Sequence, residues 1–254
     1  MYPFNTTFTS NVDNLKRERN IAAWKRSRGD GNCYFRAVIT SYYDIIHKPY
    51  SPIEDLENFK EILSGLDLSY PNIYEFKEAR DEILKSLDES IYIKKSKSKI
   101  DAYEYALENM QNEKFDINLV KVSRFITACT LIEVKDSDEF FPYLIDGYEG
   151  FLHEMMEMGK EGGELTLILL PTKLNIQVIQ FMYLDKDIVV QKFPDQVKKN
   201  SKVISIVRRG GHYDILYSKQ SLELDFCNLS NGSFTFTENL NYYYKELIPK
   251  NSGF

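Results

Sequence analysis

Two short runs of β-forming residues late in the chain most strongly restrict the folds open to this sequence. Residues 203–207 and 212–217 are separated by four residues that include Gly210 and Gly211, a pattern that predicts a β-hairpin. Residues 176–183 are rich in β-formers as well, and residues 188–190 fit a short return strand. The segments before them have helical periodicity. Helices followed by a small late sheet indicate an α+β or helix-sheet-helix fold and argue against repeating βαβ units.

The helices are placed by their start and stop signals. Residues 32–46 are apolar on nearly all faces, so we expect a core helix that ends before Pro49. Other helices are predicted at 51–63, from 72, from 101, at 116–129 and at 149–158. Ser51 and Asp116 are the expected caps of two of them, and 94–99 is expected to be a solvated basic loop. Periodicity does not assign residues 165–170 to a helix or a strand.

Residues 11–28 are polar and basic, and they predict a short helix with a lead-in to a glycine loop. Trp24 is interpreted there as a core or edge anchor without a functional signal.

Length and composition favour a single domain and argue against several classes of protein. The chain has 254 residues and no glycine- or proline-rich linker, which favours one large domain. The net charge of −6 argues against a nucleic-acid binder. Three cysteines without a CxxC pair argue against a disulfide framework and a zinc site, and we expect no metal and no cofactor. Without a signal peptide or a long apolar run, we expect a cytoplasmic protein that does not associate with membranes, with the nucleus left open.

A cysteine lies where a glycine-containing loop becomes the first long helix. Cys33 follows Gly-Asp-Gly-Asn at 29–32. Unpaired N–H groups at a helix start favour negative charge, so we expect a lowered thiol pKa and a nucleophilic thiolate. Gly29 and Gly31 permit backbone conformations closed to other residues. The peptide N–H groups of Asp30, Gly31, Asn32 and Cys33 are therefore candidates to hold an oxyanion.

A histidine and an aspartate on the last predicted strand supply a base and its orienting group. His212 and Asp214 are two residues apart, so their side chains share a face, while Tyr213 points into the packing. The carboxylate can then bind one imidazole nitrogen and leave the other for the thiol. Gly210 and Gly211 would leave room for a substrate chain. The other two cysteines, at 129 and 227, are interpreted as buried hydrophobic residues, and the histidines at 47 and 153 as satisfied or exposed polar groups.

Both motifs resemble a known family. Gly-Asp-Gly-Asn-Cys-Tyr-Phe-Arg-Ala at 29–37 resembles the cysteine box of the ovarian-tumour (OTU) cysteine proteases, and Gly-His-Tyr-Asp-Ile-Leu-Tyr at 211–217 resembles their histidine box. The otubains are the most similar branch. The likeness includes segments 25–28, 122–127, 140–144 and 174–178 and covers roughly residues 15–217.

The resemblance implies a papain-like α+β fold, with a helical region packed on a small mixed or antiparallel sheet. It also implies hydrolysis of the isopeptide bond after the C-terminal glycine of ubiquitin through a thioester. Cys33 would be the nucleophile, His212 the general base and acid, Asp214 the orienting carboxylate, and Asp30 a support of the oxyanion loop. Residues 165–170 would be helical. Ubiquitin or polyubiquitin is the implied partner, with a ubiquitin-conjugating enzyme as a further one.

The predicted organisation is a lead-in at 1–24, a catalytic domain at 25–217 and an extension of unknown role at 218–254. The short lead-in, the glycine-rich stretch at 161–164 and the extension all depart from the otubain pattern. Three alternatives stay open: a ubiquitin- or conjugating-enzyme-binding regulator with little catalysis, a protease for a ubiquitin-like modifier, and a papain-like hydrolase or transferase of small amides.

Overall fold

A computed structural model describes residues 12–17, 19–69, 74–144, 147–184, 187–198 and 201–230. Eight helices within these ranges are labelled in chain order: α1 Cys33–His47, α2 Ile53–Ser64, α3 Tyr74–Ser96, α4 Lys99–Gln111, α5 Glu113–Val134, α6 Glu149–Met156, α7 Glu164–Leu174 and α8 Lys219–Ser230. Five strands accompany them: β1 Ile21–Lys25, β2 Ile176–Leu184, β3 Asp187–Phe193, β4 Lys202–Arg209 and β5 His212–Ser218. Residues 12–17 are also helical.

The strands form one mixed sheet in the order β1-β5-β4-β2-β3. β4 and β5 make the expected hairpin, with Arg209 opposite His212, and only Gly210 and Gly211 lie between them. β2 runs parallel to β4 and antiparallel to β3. The predicted α+β class with a small sheet is confirmed, and so is the helix that the family resemblance implies at 165–170, now within α7.

Helix α1 is the centre of the core. Nearly all of its side chains are buried, as its all-round apolar pattern predicts. It lies between α5 and β5, and the rings of Tyr34 and Tyr213 meet edge to face with their centroids 5.2 Å apart. This packing fixes the start of α1 against the start of β5.

Two helix starts differ from the predicted ones because the expected caps have other partners. The Ser51 hydroxyl donates to the Ile45 carbonyl at 2.7 Å, and α2 has no side-chain cap. Helix α5 begins three residues before Asp116, with the side chain of Asn112 accepting from the Phe115 N–H at 3.1 Å.

Two further predictions of local structure are confirmed only in part. Helix α3 covers the first three residues of the predicted basic loop and ends at Ser96, and Lys94 is buried because its ammonium donates to the Ser51 carbonyl at 2.8 Å. The lysines at 95, 97 and 99 are exposed, as predicted. The predicted lead-in at 11–28 contains strand β1, which pairs antiparallel with β5.

Elements of the fold also occur on both sides of the predicted catalytic domain. β1 begins inside the segment predicted as a lead-in, and α8 lies in the predicted extension. Asp225 of α8 is buried, and its carboxylate pairs with the Lys48 ammonium at 2.9 Å. The rest of the extension, 231–254, lies outside the described residues. None of the helices in the described ranges has the length and apolar character required to cross a bilayer.

Candidate active site

Cys33 is the first residue of α1, directly after the N-cap residue Asn32. Its side chain is buried, with 4% of the residue exposed. Burial raises the pKa of the Cys33 thiol, and the Glu161 carboxylate raises it further, although the N–H groups of Tyr213 and Tyr34 favour the thiolate. The prediction that the helix start lowers this pKa is therefore wrong for the resting structure, because loss of solvent outweighs the backbone N–H groups.

His212 and Asp214 form the predicted pair on β5. The Nε2 atom of His212 lies 2.8 Å from Oδ1 of Asp214. Tyr213, between them, points into the core as expected. The other imidazole nitrogen, Nδ1, faces the loop before Cys33, since a Cβ atom built on Gly29 would lie 3.9 Å from it. Within the described part of the chain the structure has no hydrogen bond between the Cys33 thiol and His212, so proton transfer requires Nδ1 to approach Sγ.

Asp214 is fully buried and accepts four hydrogen bonds. Its donors are the Ser27 N–H at 2.8 Å, the Trp24 indole N–H at 2.9 Å, His212 at 2.8 Å and Arg209 at 3.1 Å. Burial raises the pKa of Asp214, but the Ser27, Trp24 and His212 donors outweigh it and hold the pKa below its ordinary value. The carboxylate is therefore ionised and fixed, as an orienting group must be.

Trp24 is a part of this site that the sequence does not reveal. The sequence interpretation gives it no function, yet its indole N–H binds the Asp214 carboxylate and the Arg209 guanidinium lies 5.0 Å from its ring centroid. Only the antiparallel pairing of β1 with β5, in which Trp24 is opposite Leu216, brings it there.

Asp30 supports the loop, as the family resemblance implies. Its two carboxylate oxygens accept from Arg36 at 2.7 and 2.8 Å, and Arg36 also binds Asp116 at 3.0 Å. Burial raises the pKa of Asp30, but the Arg36 hydrogen bonds overcome this and lower it to about 2. Asp30 is thus a charged anchor between the loop and helices α1 and α5.

Of the four predicted oxyanion donors, one is occupied. The Asn32 N–H donates to the Asp30 carboxylate at 3.0 Å, which removes it as a donor in this conformation. Among the described residues, the N–H groups of Asp30 and Gly31 donate to no acceptor, and the Cys33 N–H favours the thiolate of its own side chain. These three N–H groups remain candidates for an oxyanion hole.

Gly31 is the loop glycine whose conformation excludes a side chain. Its φ is +75°, and a Cβ atom there would lie 1.7 Å from the Gly159 carbonyl oxygen. Gly29 does not adopt a left-handed φ, so the expectation that it needs glycine's freedom is wrong.

Gly210 and Gly211 form the tight turn before His212, with φ of +55° and +77°. The space expected there is partly filled, because a Cβ on Gly211 would lie 3.7 Å from Glu161, which pairs with Arg208 at 3.3 Å.

The remaining cysteines and histidines behave as ordinary structural residues where their side chains are described. Cys129 is buried in α5. His47 is buried, with its ring nitrogens 2.7 Å from the Tyr43 carbonyl and 3.1 Å from the Ser90 hydroxyl. His153 is exposed beside Glu157. The side chain of Cys227 lies outside the described residues. No group of three or more potential ligands in the described ranges is arranged to hold a metal ion.

Comparisons with known proteins show the family to which the chain belongs. The family model of Peptidase C65 Otubain matches residues 2–218. An Arabidopsis thaliana protein, OVARIAN TUMOR DOMAIN-containing deubiquitinating enzyme 1, is 26% identical over 79% of this chain and 71% of its own length. A Caenorhabditis elegans protein, ubiquitin thioesterase otubain-like, is 24% identical over 77% of this chain and 69% of its own length.

Solved structures show the same fold. The complex of ceOTUB1, ubiquitin aldehyde and UBC13~Ub matches with a TM-score of 0.64 and 19% identity, over 85% of this chain and 87% of that chain. The complex of h/ceOTUB1, ubiquitin aldehyde and UBC13~Ub matches with a TM-score of 0.62 and 18% identity, over 86% and 85%. Since the family model spans most of the chain, including both the cysteine loop and strand β5, the chain belongs to the Peptidase C65 otubain family.

Proposed function

We propose that this protein is a deubiquitinating cysteine protease that hydrolyses the isopeptide bond after the C-terminal glycine of ubiquitin. One observation carries the proposal: a His212–Asp214 pair, with its contact at 2.8 Å, lies beside the loop that ends in a cysteine at a helix start. Membership of the otubain family supports ubiquitin as the modifier, since relatives are named as deubiquitinating or ubiquitin thioesterase enzymes.

The residues fit a two-step acyl transfer. His212 Nδ1 takes the proton of Cys33 as Sγ attacks the carbonyl carbon of ubiquitin's C-terminal glycine. The N–H groups of Asp30, Gly31 and Cys33 are the candidate donors to the oxyanion. His212 then gives its proton to the leaving lysine amine, and a thioester forms. Water, deprotonated by His212, hydrolyses the thioester and restores the thiol.

A ubiquitin probe with a C-terminal electrophile tests the nucleophile. We expect the wild-type protein to be labelled, Cys33→Ala to be unlabelled, and Cys129→Ala, the matched control at a buried cysteine of α5, to be labelled like the wild type. Labelling of Cys33→Ala at the wild-type rate would remove Cys33 from the mechanism. Multiple turnovers of diubiquitin at low enzyme concentration distinguish an enzyme from a ubiquitin-binding regulator.

A ubiquitin-conjugating enzyme is a second proposed partner. The observation that favours it is the matching fold of ceOTUB1, which is solved in complex with UBC13~Ub. Cys33→Ala protein should then bind a ubiquitin-charged conjugating enzyme and inhibit its chain synthesis. Synthesis at an unchanged rate with excess Cys33→Ala protein would exclude this role.

Substrate choice and cellular location are part of the same proposal. A panel of all diubiquitin linkages with one ubiquitin-like fusion decides between ubiquitin and a related modifier, because specificity depends on loops and surface shape. We propose a cytoplasmic location, and imaging of the tagged full chain tests it. Exclusively membrane-bound or secreted signal would contradict it.

A further inference from the structure

Arg124 of α5 is a buried cation behind the cysteine loop. It is fully buried, and its guanidinium carbon lies 4.1 Å from the centroid of the Phe35 ring. Its Nε and Nη2 donate to Oδ1 of Asn32 at 3.0 and 2.8 Å. Its other acceptors are backbone carbonyls, those of Met155 at 3.0 Å and of Gly31, Glu154 and Lys160.

These hydrogen bonds join two segments of the chain. One is the loop that carries Asn32 and Cys33, and the other is residues 154–160. The Gly159 N–H donates to the same Asn32 oxygen at 2.9 Å, so this atom accepts from Arg124 and from the backbone of 154–160 together. Gly31 is in close contact with Gly159, as its missing Cβ would lie 1.7 Å from the Gly159 oxygen. The fork of Arg124 thus fixes the loop conformation from behind.

The charge of Arg124 is unusual for its position. A fully buried cation normally forms an ion pair, because desolvation of an unpaired charge is costly. Every acceptor of Arg124 within the described residues is an uncharged oxygen. Burial lowers the pKa of Arg124 to about 10, while the charges of Asp30, Glu157 and Cys33 favour the protonated form. The guanidinium therefore keeps its charge at neutral pH behind the loop that carries the thiol.

We propose that Arg124 is a positioning residue for the reaction at Cys33: its fork fixes the oxyanion loop, and its charge stabilises the anions formed there. The inference rests on the proposed function, since it concerns the same acyl transfer. The geometry separates the two effects, because the fork acts through Asn32 and the backbone, whereas the charge acts through space on Sγ and the oxyanion.

Arg124→Lys keeps the charge and loses the fork. We expect kcat for a ubiquitin C-terminal amide to fall about 10- to 100-fold with KM within about twofold, because a misplaced loop impairs the transition state more than ubiquitin binding. The pH midpoint for alkylation of Cys33 by iodoacetamide should stay unchanged, since the thiolate reacts and the nearby charge is kept. Arg80→Lys, at an arginine on α3 paired with Asp81, is the matched control and should keep the wild-type kcat. A kcat within about twofold of wild type in folded Arg124→Lys protein would overturn the role of the fork.

Asn32→Asp tests the charge with little change of shape. The new carboxylate keeps an acceptor for the fork and neutralises Arg124 as an ion pair. Its own negative charge next to Cys33 also disfavours the thiolate, so both effects raise the pH midpoint for Cys33 alkylation, and we expect a lower kcat. An unchanged midpoint would overturn the role of the charge, and this variant decides the inference if Arg124→Lys does not fold. Iodoacetamide needs no ubiquitin. A protein that fails to cleave ubiquitin but still shows the shifted midpoint therefore refutes the proposed function without overturning the role of the charge.

Discussion

Replacing Trp24 with phenylalanine removes one of the four donors to the Asp214 carboxylate and keeps an aromatic ring in place. The lost hydrogen bond, 2.9 Å long, links the indole N–H to a fully buried acceptor. Ser27, His212 and Arg209 still bind the same carboxylate. The orienting group should therefore stay in the site but be held less firmly.

The expected magnitude follows from the charge and burial of the acceptor. A hydrogen bond to a charged group contributes about 1.5–3 kcal/mol, and since Trp24 is only half-buried we expect the lower part of this range, about 1.5–2 kcal/mol. At 1.36 kcal/mol per unit, the pKa of Asp214 would rise by roughly one unit. It begins below its ordinary value, so the carboxylate stays ionised at neutral pH. Weaker orientation of His212 should lower kcat/KM about 3- to 10-fold, less than Asp214→Asn lowers it.

A double-mutant cycle measures this interaction directly. Trp24→Phe, Asp214→Ala and the double variant are unfolded in urea at pH 7.5, and the coupling free energy is taken from the four stabilities. We expect about 1.5–2 kcal/mol of coupling. A coupling below about 0.5 kcal/mol would mean that the tryptophan only packs against the sheet, and the assignment of its indole to the site would fail.

Three other changes test the loop and the core. Gly31→Ala places a Cβ 1.7 Å from a backbone oxygen at a φ of +75°, so labelling by the ubiquitin probe should slow at least about 100-fold, and near-normal labelling would refute the close contact. Burial lowers the pKa of His47 to about 4, so as pH falls the unfolded chain binds a proton on this residue before the folded protein does. The free energy of unfolding should therefore decrease by about 3 kcal/mol between about pH 6.5 and about pH 4. His47→Gln should flatten this dependence in urea titrations, and an equally steep slope would contradict it. Asp225→Ala leaves the buried Lys48 without one of its carboxylates and should lower the free energy of unfolding by about 3 kcal/mol. Glu223→Ala, at an exposed position of the same helix, should change it by less than about 0.5 kcal/mol. Equal effects would show that the buried pair is unimportant.

Local patterns predict the parts of the fold that local forces determine. Helix α1 and the hairpin of β4 and β5 follow from continuous apolar periodicity and a glycine turn, and both are found. Strand β1 is five residues long, and its partner β5 lies about 190 positions away, so no nearby residue indicates the pairing. The burial of Lys94 is not predicted for a similar reason, since the acceptor of its ammonium is a carbonyl of another segment.

In the candidate site, too, contacts between neighbours in the sequence are predicted and contacts between distant residues are not. The contact of His212 with Asp214 is predicted because residues two apart on a strand share a face. The groups that hold Asp214 and Asn32 are distant in sequence: Trp24 is 190 positions from Asp214, and Arg124 is 92 positions from Asn32. Asp116 has the residue type of a helix cap, yet tertiary contacts make it a partner of Arg36. Residue types near the motif thus predict the candidate reacting groups, whereas the residues that hold them in place depend on the packed fold.

In the proposed mechanism, reactivity depends on the approach of His212 to Cys33. The thiol is buried with a raised pKa, so it is protonated at neutral pH, and it has no hydrogen bond to the imidazole among the described residues. Asp214 holds Nε2, which leaves Nδ1 as the nitrogen that can take the proton. Glu161 opposes thiolate formation from the side of the β4–β5 turn, while Arg124 favours it from behind the loop. These two charges act in opposite directions on the thiolate. Bound substrate would exclude water and bring Nδ1 close to Sγ, so that proton transfer forms the thiolate only when an acyl group is present.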